Sequence, residues 1–291
     1  MKRILRIGTR KSALAVWQAE YVKQLIESSD PDIHCEIVAM RTEGDRILDR
    51  PLYQAGGKGL FVKELDQALR DKITDISVHS LKDVPMELPD DLPILAYSRR
   101  EDPRDALILR KDSDEAGMKI IGSSSRRRII QLEQLYPGRR FTGIRGNVQT
   151  RMRKLEEGLC DGTVLAAAGL KRLGMEDAAV RFFETDEIIP AAGQGILAVQ
   201  GRAGEKYGFL SCVMDERSRI AAAAERSFVC TLDGGCTAPI AAYAKISGRK
   251  LRLSGLYCCE EAGILRRGEA EGDTGEAEKL GKELALELKE G

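Results

Sequence analysis

The feature that most constrains the fold is an alternation of short apolar runs with helical patterns, which continues to about residue 200. Between two of the apolar runs, residues 60–72 carry an amphipathic helical pattern. Its apolar face consists of Phe61, Leu65, Ala68 and Leu69. The alternation predicts βαβ units and a mainly parallel sheet covered by helices. The runs that predict strands are residues 3–8, 35–40, 75–81, 93–98 and 105–110.

The chain changes character after about residue 217. A helix is predicted over residues 221–232, and the chain closes with an amphipathic helix over residues 274–290. Between them, three short runs separated by glycine-containing turns predict antiparallel strands. The C-terminal part is therefore predicted to be a small α+β unit. The three runs are residues 241–248, 250–259 and 264–270, and the helix carries Ala277, Leu280, Leu284 and Leu288 on one side.

Two stretches have a composition typical of segments that cross from one structural unit of the chain to another. Residues 98–105 are strongly charged and contain Pro103, and residues 189–195 are rich in proline and glycine.

Composition narrows the class of protein. The 291 residues include 46 basic and 46 acidic side chains, and hydrophobic residues make up 43%, which indicates a globular chain with zero net charge. The charged N-terminus lacks the apolar core of a signal peptide, and no apolar run approaches the ~18 residues of a membrane span, so we expect a cytoplasmic location and no membrane partner. Seven cysteines without a CxxC pair, beside two histidines, predict neither a disulfide framework nor a metal site.

Basic charge is concentrated in one segment. Residues 122–154 contain eight arginines and one lysine, but Glu133 is their single acidic residue. In "GSSSRRR", Arg126, Arg127 and Arg128 follow three serines at a predicted strand–helix turn. Positive side chains oppose the dipole at a helix N-terminus unless an anion binds there.

Two interpretations of this segment are possible. It could be a solvated basic face, or it could bind a polyanion. A second turn, "GIRGNVQTR", carries Arg145 and Arg151. Loops of one α/β sheet converge on a crevice, and arginine binds carboxylates in a bidentate manner, so a polyanionic ligand is the better explanation.

Other candidate residues lie in the first hundred. Arg10 and Ser12 follow the first strand at the start of a helix, and Lys58 lies in a glycine-rich loop that matches no phosphate-binding motif. In "HSLKDVP", Asp83 is a carboxylate among cations that either caps a turn before Pro85 or acts in acid–base or electrostatic catalysis. His79 is expected to be a structural strand residue.

Cys236 lies in "LDGGCTAPI". A Gly-Gly turn exposes a sulfur atom, which favours a reactive or covalently modified thiol, although a small residue in a tight loop is the simpler alternative.

Nine motifs carry a resemblance that runs the length of the chain and occurs in one order. The chain resembles the porphobilinogen deaminase (hydroxymethylbilane synthase) family. The motifs are "IGTRKSALA", "GGKGLFVKELD", "VHSLKDVP", "DPRDALI", "GSSSRRR", "RGNVQTRMRKL", "AAAGLKRLG", "IPAAGQG" and "ERSF…LDGGCTAPI".

The resemblance implies an enzyme that condenses four porphobilinogen molecules into the linear tetrapyrrole hydroxymethylbilane with release of ammonia. It implies a covalent dipyrromethane cofactor, tied by a thioether to Cys236. Asp83 matches the catalytic aspartate, which assists loss of the substrate amino group and stabilises the resulting cation. The matching cofactor binders are Lys82, Ser125, Arg127, Arg128, Arg145 and Arg151, and the matching substrate binders are Arg10, Ser12, Arg172 and Lys58.

The resemblance also implies a three-domain fold and a monomer. Two α/β domains resembling periplasmic binding proteins are followed by a small C-terminal α+β domain that holds the cysteine. We expect domain 1 at 1–98 and 195–216, domain 2 at 99–194 and domain 3 at 217–291.

The chain departs from the family pattern at two positions near the site motifs. Arg126 stands where an apolar residue is common, so it is expected to face solvent, and Gln54 replaces a frequent lysine.

Two other classes of protein compete with an enzyme. A solute-binding protein would use the same architecture and arginine clusters, but it would need neither a reactive cysteine nor a carboxylate in the cleft. A nucleic-acid binder is disfavoured by the zero net charge and by an aromatic content of 5%, which leaves few stacking platforms. The mass of the intact protein separates these classes, because only the enzyme carries a covalent dipyrromethane.

Overall fold

A computed structural model describes residues 3–46, 62–233 and 239–291. Gln54, Lys58, Phe61 and Cys236 lie outside the described residues, and so do the predictions made for them. In the described part of the chain, no helix is both long enough and apolar enough to cross a membrane.

The first unit is built on a five-stranded sheet. Its strands are β1 (Arg3–Arg10), β2 (Ile33–Met40), β3 (Ile76–Ser80), β4 (Ile94–Tyr97) and β10 (Leu197–Gly201). Its helices are α1 (Ala13–Ser29), α2 (Glu43–Arg46) and α3 (Lys63–Arg70). The strand order is β2-β1-β3-β10-β4, in which β1 runs parallel to β2 and β3, and β10 runs antiparallel to β3 and β4.

The second unit is built on another five-stranded sheet. Its strands are β5 (Asp105–Leu109), β6 (Ile120–Gly122), β7 (Arg140–Thr142), β8 (Gly162–Ala166) and β9 (Arg181–Phe183). Its helices are α4 (Arg126–Leu135), α5 (Val148–Glu156) and α6 (Ala167–Arg172). The strand order is β7-β6-β8-β5-β9, in which β6 runs parallel to β7 and β8, and β5 runs antiparallel to β8 and β9.

The two sheets share one plan. In each, three parallel strands are followed by one antiparallel strand and then an edge strand, so the predicted fold of two similar α/β units is confirmed. The prediction of a mainly parallel sheet is confirmed for strand direction, because four of the five strands in each sheet run the same way and one strand runs against its two neighbours. The antiparallel strands, β10 and β5, are those that enter their sheet directly from a crossing between the units.

The crossings follow β4 and β9. After Tyr97 the chain leaves the first sheet and enters the second at Asp105, and after Phe183 it returns to the first sheet at Leu197. Gly195 has a φ of +91°, and a Cβ atom there would lie 2.3 Å from the carbonyl oxygen of Glu101 in the other crossing. Glycine at this position therefore allows the two crossings to lie side by side.

The third unit is the predicted C-terminal α+β unit. Its antiparallel sheet has the order β11-β12-β13, and two helices pack on one face. Residues Ala277, Leu280, Leu284 and Leu288, predicted to form one helical face, are all buried. The elements are α7 (Glu216–Thr231), β11 (Ala241–Ser247), β12 (Lys250–Cys259), β13 (Ile264–Asp273) and α8 (Ala277–Glu290).

Glu225 of α7 joins the third unit to both crossings. Its fully buried carboxylate accepts hydrogen bonds from Arg100 Nη2 at 2.9 Å and from the amide of Gly193 at 2.7 Å. It also accepts one from the amide of Ala244 in β11 at 2.8 Å. Removal of a buried charge of this kind from its partners costs several kcal/mol, on the order of 3–5, so this joint holds the three units together.

Candidate active site

Three of the predicted site residues meet at the ends of β1 and β3. Arg10 closes β1, Ser12 is the N-cap of α1, and Asp83 follows β3 in a short 3₁₀ turn. They line a cavity of about 60 Å³. Its lining is completed by Leu14, Ala15, Gln18, Val62, Val78, His79 and Ser80.

The turn that carries Asp83 follows from its neighbours. Leu81 is buried and fixes the start of the turn, while Pro85 prevents the turn from continuing as a helix. The closing hydrogen bond is donated by the amide of Val84 to the carbonyl of Leu81, so the backbone forms the turn without the Asp83 side chain. Among the described residues, the Asp83 carboxylate has no hydrogen bond and no ion pair, which does not fit the alternative of a turn cap.

Cations of the first and second units lie near this carboxylate. Burial, helped by the charge of Arg128, lowers the pKa of Lys82 to about 8, although the charges of Asp83 and Asp105 oppose the change. Burial likewise lowers the pKa of Arg151 to about 10, again with Arg128 adding and Asp83 opposing. Asp83 therefore lies near cations of the second unit as well as near its own neighbour in the chain.

The arginines of "GSSSRRR" divide into two classes. Ser125 has the extended backbone of an N-cap, but its side chain makes no cap hydrogen bond to α4. Arg126 is exposed and pairs with Glu260 of the third unit, so the prediction that it faces solvent is confirmed. Arg127 and Arg128 are only 5% and 6% exposed, which excludes a solvated basic face for these two.

Asp105 is the internal partner of both buried arginines. Arg127 Nη2 donates to one carboxylate oxygen at 2.8 Å and Arg128 Nη2 donates to the other at 2.7 Å. The remaining Nη1 groups donate to backbone carbonyls of Ile189 and Val164. Burial alone would raise the pKa of Asp105, but the two guanidinium charges outweigh it and hold the pKa well below its usual range.

Gln194 connects this cluster to the first unit. Its Nε2 donates to Asp105 at 2.9 Å, and its Oε1 accepts from Lys82 Nζ at 3.2 Å. Neither Asp105 nor Gln194 was predicted from the sequence to be a site residue. Both lie in motifs of the sequence, "DPRDALI" and "IPAAGQG", that overlap the crossings between the units. That position was the one sign in the sequence that they could lie near the site.

The second arginine turn lies at the start of α5. Asn147 caps this helix by accepting from the amide of Thr150 at 2.9 Å, and Gly146 takes a φ of +120°. Arg151 Nε donates back to the carbonyl of Gly146 at 2.8 Å, and Arg145 lies close enough to act on its pKa. The structure therefore places Arg145 and Arg151 together with Arg128.

Arg172 differs from the other predicted binders. It is 9% exposed, and its Nη2 donates to the carbonyl of Gly195 in the second crossing at 2.7 Å. Burial lowers its pKa to about 10. In this structure it is tied to a crossing.

Two buried polar groups complete the cavity wall. Gln18 Nε2 donates to Ser80 Oγ at 2.8 Å. His79 lies within β3, and burial lowers its pKa to about 4, so the imidazole is neutral at physiological pH. A neutral imidazole in a strand agrees with the structural role predicted for it.

The donor set fits an anionic group with carboxylates. Arg128 Nε is buried and has no hydrogen-bond acceptor among the described residues. A buried donor without a partner costs about 1–3 kcal/mol, and the cost is higher for a charged group. A ligand carboxylate next to Arg128, Arg151 and Lys82 would supply the acceptor.

Solved structures that are similar to part of the chain include domains that bind small molecules. The second substrate binding domain of a putative amino acid ABC transporter from Streptococcus pneumoniae has a TM-score of 0.44 at 11% identity, covering 78% of this chain and 98% of that one. The periplasmic VFT2 domain of BvgS from Bordetella pertussis has a TM-score of 0.39 at 15% identity, covering 72% and 84%. The family assignment does not rest on them.

Sequence comparison is decisive. The family model described as "Porphobilinogen deaminase, dipyromethane cofactor binding domain" matches residues 5–207, and the model of the C-terminal domain matches residues 219–290. The porphobilinogen deaminase of Ruminiclostridium josui is 51% identical over 99% of this chain and 98% of its own, and that of Acetivibrio thermocellus is 49% identical with the same coverage. That of Syntrophobacter fumaroxidans is 40% identical over 98% of this chain. The chain therefore belongs to the porphobilinogen deaminase family, transferases of tetrapyrrole biosynthesis, and contains its dipyrromethane-cofactor-binding domain.

Proposed function

We propose that the chain is a hydroxymethylbilane synthase that joins four porphobilinogen molecules head to tail and releases one ammonia for each. The observation that carries this proposal is the carboxylate of Asp83, which has no partner among the described residues and faces cations of both sheets. A single unpaired anion in a cationic cleft suits a reaction in which a cationic intermediate forms on a polyanionic substrate.

The cations would hold the carboxylates of the cofactor and of the growing chain. Porphobilinogen carries an acetate and a propionate group, so negative charge accumulates as the chain grows. When bound, the cofactor supplies a terminal pyrrole with a free α-carbon as the nucleophile. Cys236 is the proposed point of thioether attachment. The proposed cofactor binders are Lys82, Ser125, Arg127, Arg128, Arg145 and Arg151, and the proposed substrate binders are Arg10, Ser12, Arg172 and Lys58.

Asp83 would act on the substrate through charge and proton transfer. Its carboxylate can hold the protonated aminomethyl group as ammonia leaves, and it can accept hydrogen bonds from pyrrole N–H groups while the substrate ring is cationic.

The proposal extends to organisation and setting. We place domain 1 at 1–98 and 195–216, domain 2 at 99–194 and domain 3 at 217–291. The protein would act as a monomer in the cytoplasm on a small-molecule substrate, without nucleic-acid or membrane partners. The mass of the purified protein in solution measured by light scattering tests the monomer directly.

Intact-mass spectrometry of the purified protein tests the attachment. We expect the mass of a covalent dipyrromethane on the wild-type chain and its loss in Cys236→Ser. Cys230→Ser is the matched control, because Cys230 is an exposed cysteine at the end of α7 and its replacement should leave the adduct in place. An adduct that persists in Cys236→Ser would contradict the attachment, and a wild-type chain with neither adduct nor ammonia release from porphobilinogen would contradict the proposed function.

A further inference from the structure

One buried carboxylate organises cations that come from both units. Asp105 stands at the first position of β5 with no exposed surface. It accepts hydrogen bonds from Arg127, Arg128 and Gln194 at 2.7–2.9 Å. Gln194 in turn accepts from Lys82 at 3.2 Å. Asp105 is therefore in direct contact with two cations and is linked to a third through an amide.

The spatial arrangement of these cations depends on Asp105. Three like charges packed closely repel one another, and the repulsion is stronger in a buried setting than in water. A carboxylate that accepts one Nη group from each arginine fixes the orientation of both planar guanidinium groups. In Arg128 this pairing leaves Nε buried and without an acceptor among the described residues.

The same crossing provides a comparison. Asp102 is also largely buried, and it accepts from Nε and Nη2 of Arg104 at 3.0 and 2.9 Å. Asp102 makes no hydrogen bond or ion pair with Arg127, Arg128 or Gln194, all of which lie among the described residues. Two carboxylates three residues apart thus have similar local chemistry, but Asp105 alone of the two belongs to the cation cluster.

We propose that Asp105 is a positioning residue for substrate and cofactor binding, which sets Arg127, Arg128 and, through Gln194, Lys82 as one array for carboxylates. The inference rests on the proposed function and adds to it the group that arranges the array. Asp105 itself has no exposed surface with which to touch a ligand, so it acts through the cations.

Asp105→Asn tests the proposal, because asparagine keeps the shape and removes the charge. We expect KM for porphobilinogen to rise at least about tenfold, as for the loss of a charge-assisted hydrogen bond, while kcat of cofactor-loaded enzyme stays within about threefold. Asp102→Asn is the matched control and should leave KM unchanged even if it lowers the melting temperature.

The pH profile separates positioning from a purely structural role. Lys82 is faced by Arg127, Arg128, Asp83 and Asp105, and the charge of Asp105 raises its pKa. Removal of that charge should therefore move the alkaline limb of kcat/KM to lower pH, whereas loss of stability alone would not move it. An Asp105→Asn enzyme that folds, with KM within twofold of the wild type and the same alkaline limb, would overturn the proposal.

Gln194→Leu decides the question if Asp105→Asn does not fold. It cuts the link to Lys82 and leaves the pairs of Asp105 with Arg127 and Arg128 in place. A rise of several-fold in KM supports the array, and an unchanged KM overturns it. If the wild-type enzyme carries the adduct and turns over porphobilinogen, but the variants have an unchanged KM, this inference alone is refuted. If the wild-type enzyme neither carries the adduct nor turns over porphobilinogen, the proposed function is refuted.

Discussion

Two strand–helix turns occupy the same place in the two sheets and are built differently. The first turn, residues 10–12, joins β1 to α1, and the second turn, residues 123–125, joins β6 to α4. In the first, the side chain of Ser12 caps the helix by accepting from the amide of Ala15 at 3.3 Å. In the second, Ser125 makes no such bond, and three arginines follow at once.

The two turns balance their charges in different ways. The first turn satisfies its helix locally, and its neighbour Asp83 has no partner in the part of the chain that the structure describes. The second turn places cations where the helix dipole opposes them, and a carboxylate from another strand, Asp105, compensates two of them. One turn thus borders an unpaired anion, and the other presents paired cations.

The largest effect should come from the unpaired anion. Asp83→Asn keeps the shape of the side chain and removes its charge, so we expect single-turnover ammonia release to slow at least about a hundredfold, with Asp83→Glu in between. Binding of porphobilinogen should persist. Asp90→Asn changes an exposed carboxylate seven residues further along the chain, so it is the control and should release ammonia normally. Near-normal release from Asp83→Asn would mean that another group does the chemistry.

Truncation of Arg127 should lower the stability of the protein more than truncation of Arg126. Arg127→Leu leaves Asp105 buried with one arginine fewer, so unfolding in urea should show a loss of about 3 kcal/mol, and the covalent adduct should be reduced or absent. Arg126→Leu removes only an exposed pair with Glu260 and should cost at most about 1 kcal/mol. Equal damage from the two substitutions would show that the division between buried and exposed arginines is wrong.

The link between the two turns should be sensitive to pH. Burial holds the pKa of Lys82 at about 8, below that of a free lysine, so its ammonium is present below that pH and is lost as the pH rises through it. KM for porphobilinogen should therefore increase by up to about tenfold per pH unit above 8. In Lys82→Arg the charge persists, and this increase should vanish between pH 7 and 9.5. An increase that survives in Lys82→Arg must come from another group.

The smallest effect should come from the serine at the start of each helix. Ser12→Ala removes a side-chain cap and should cost about 1 kcal/mol of stability, which lowers the melting temperature by about 2–4 °C. Ser125→Ala removes no cap bond and should change the melting temperature by less than half of that. Calorimetry on both variants measures the difference, and equal losses would contradict it.

Local pattern predicted the elements well, because each element carries its own periodicity. The strands expected at residues 3–8 and 105–110 and the apolar face of the C-terminal helix are all present in the structure. Strand direction was not predictable in the same way. An apolar run such as that of β10 has the same sequence pattern whether the strand pairs in parallel or antiparallel. The direction depends on the crossing that leads into the strand.

The sequence predicted which types of residue lie at the candidate site, but it did not predict which of them contact each other. Arg10, Ser12 and Asp83 follow the ends of predicted strands, and they line one cavity in the structure, as expected for loops at strand ends. The partner of Arg127 lies 22 residues away in the chain, on a strand whose sequence shows no sign of the pairing. Which of three adjacent arginines is buried depends on helical phase, and that became visible only in the folded chain.

The joint at Glu225 restricts how the first two units could move. Its carboxylate fastens Arg100 of one crossing and Gly193 of the other at a common point. Two segments fastened at one point can turn about it, but they cannot slide past each other without breaking a buried ion pair. Any opening of the cleft is therefore reduced to a rotation, and its pivot belongs to α7. Cys236, the proposed attachment point of the cofactor, follows in the chain five residues after the end of the helix that carries this pivot.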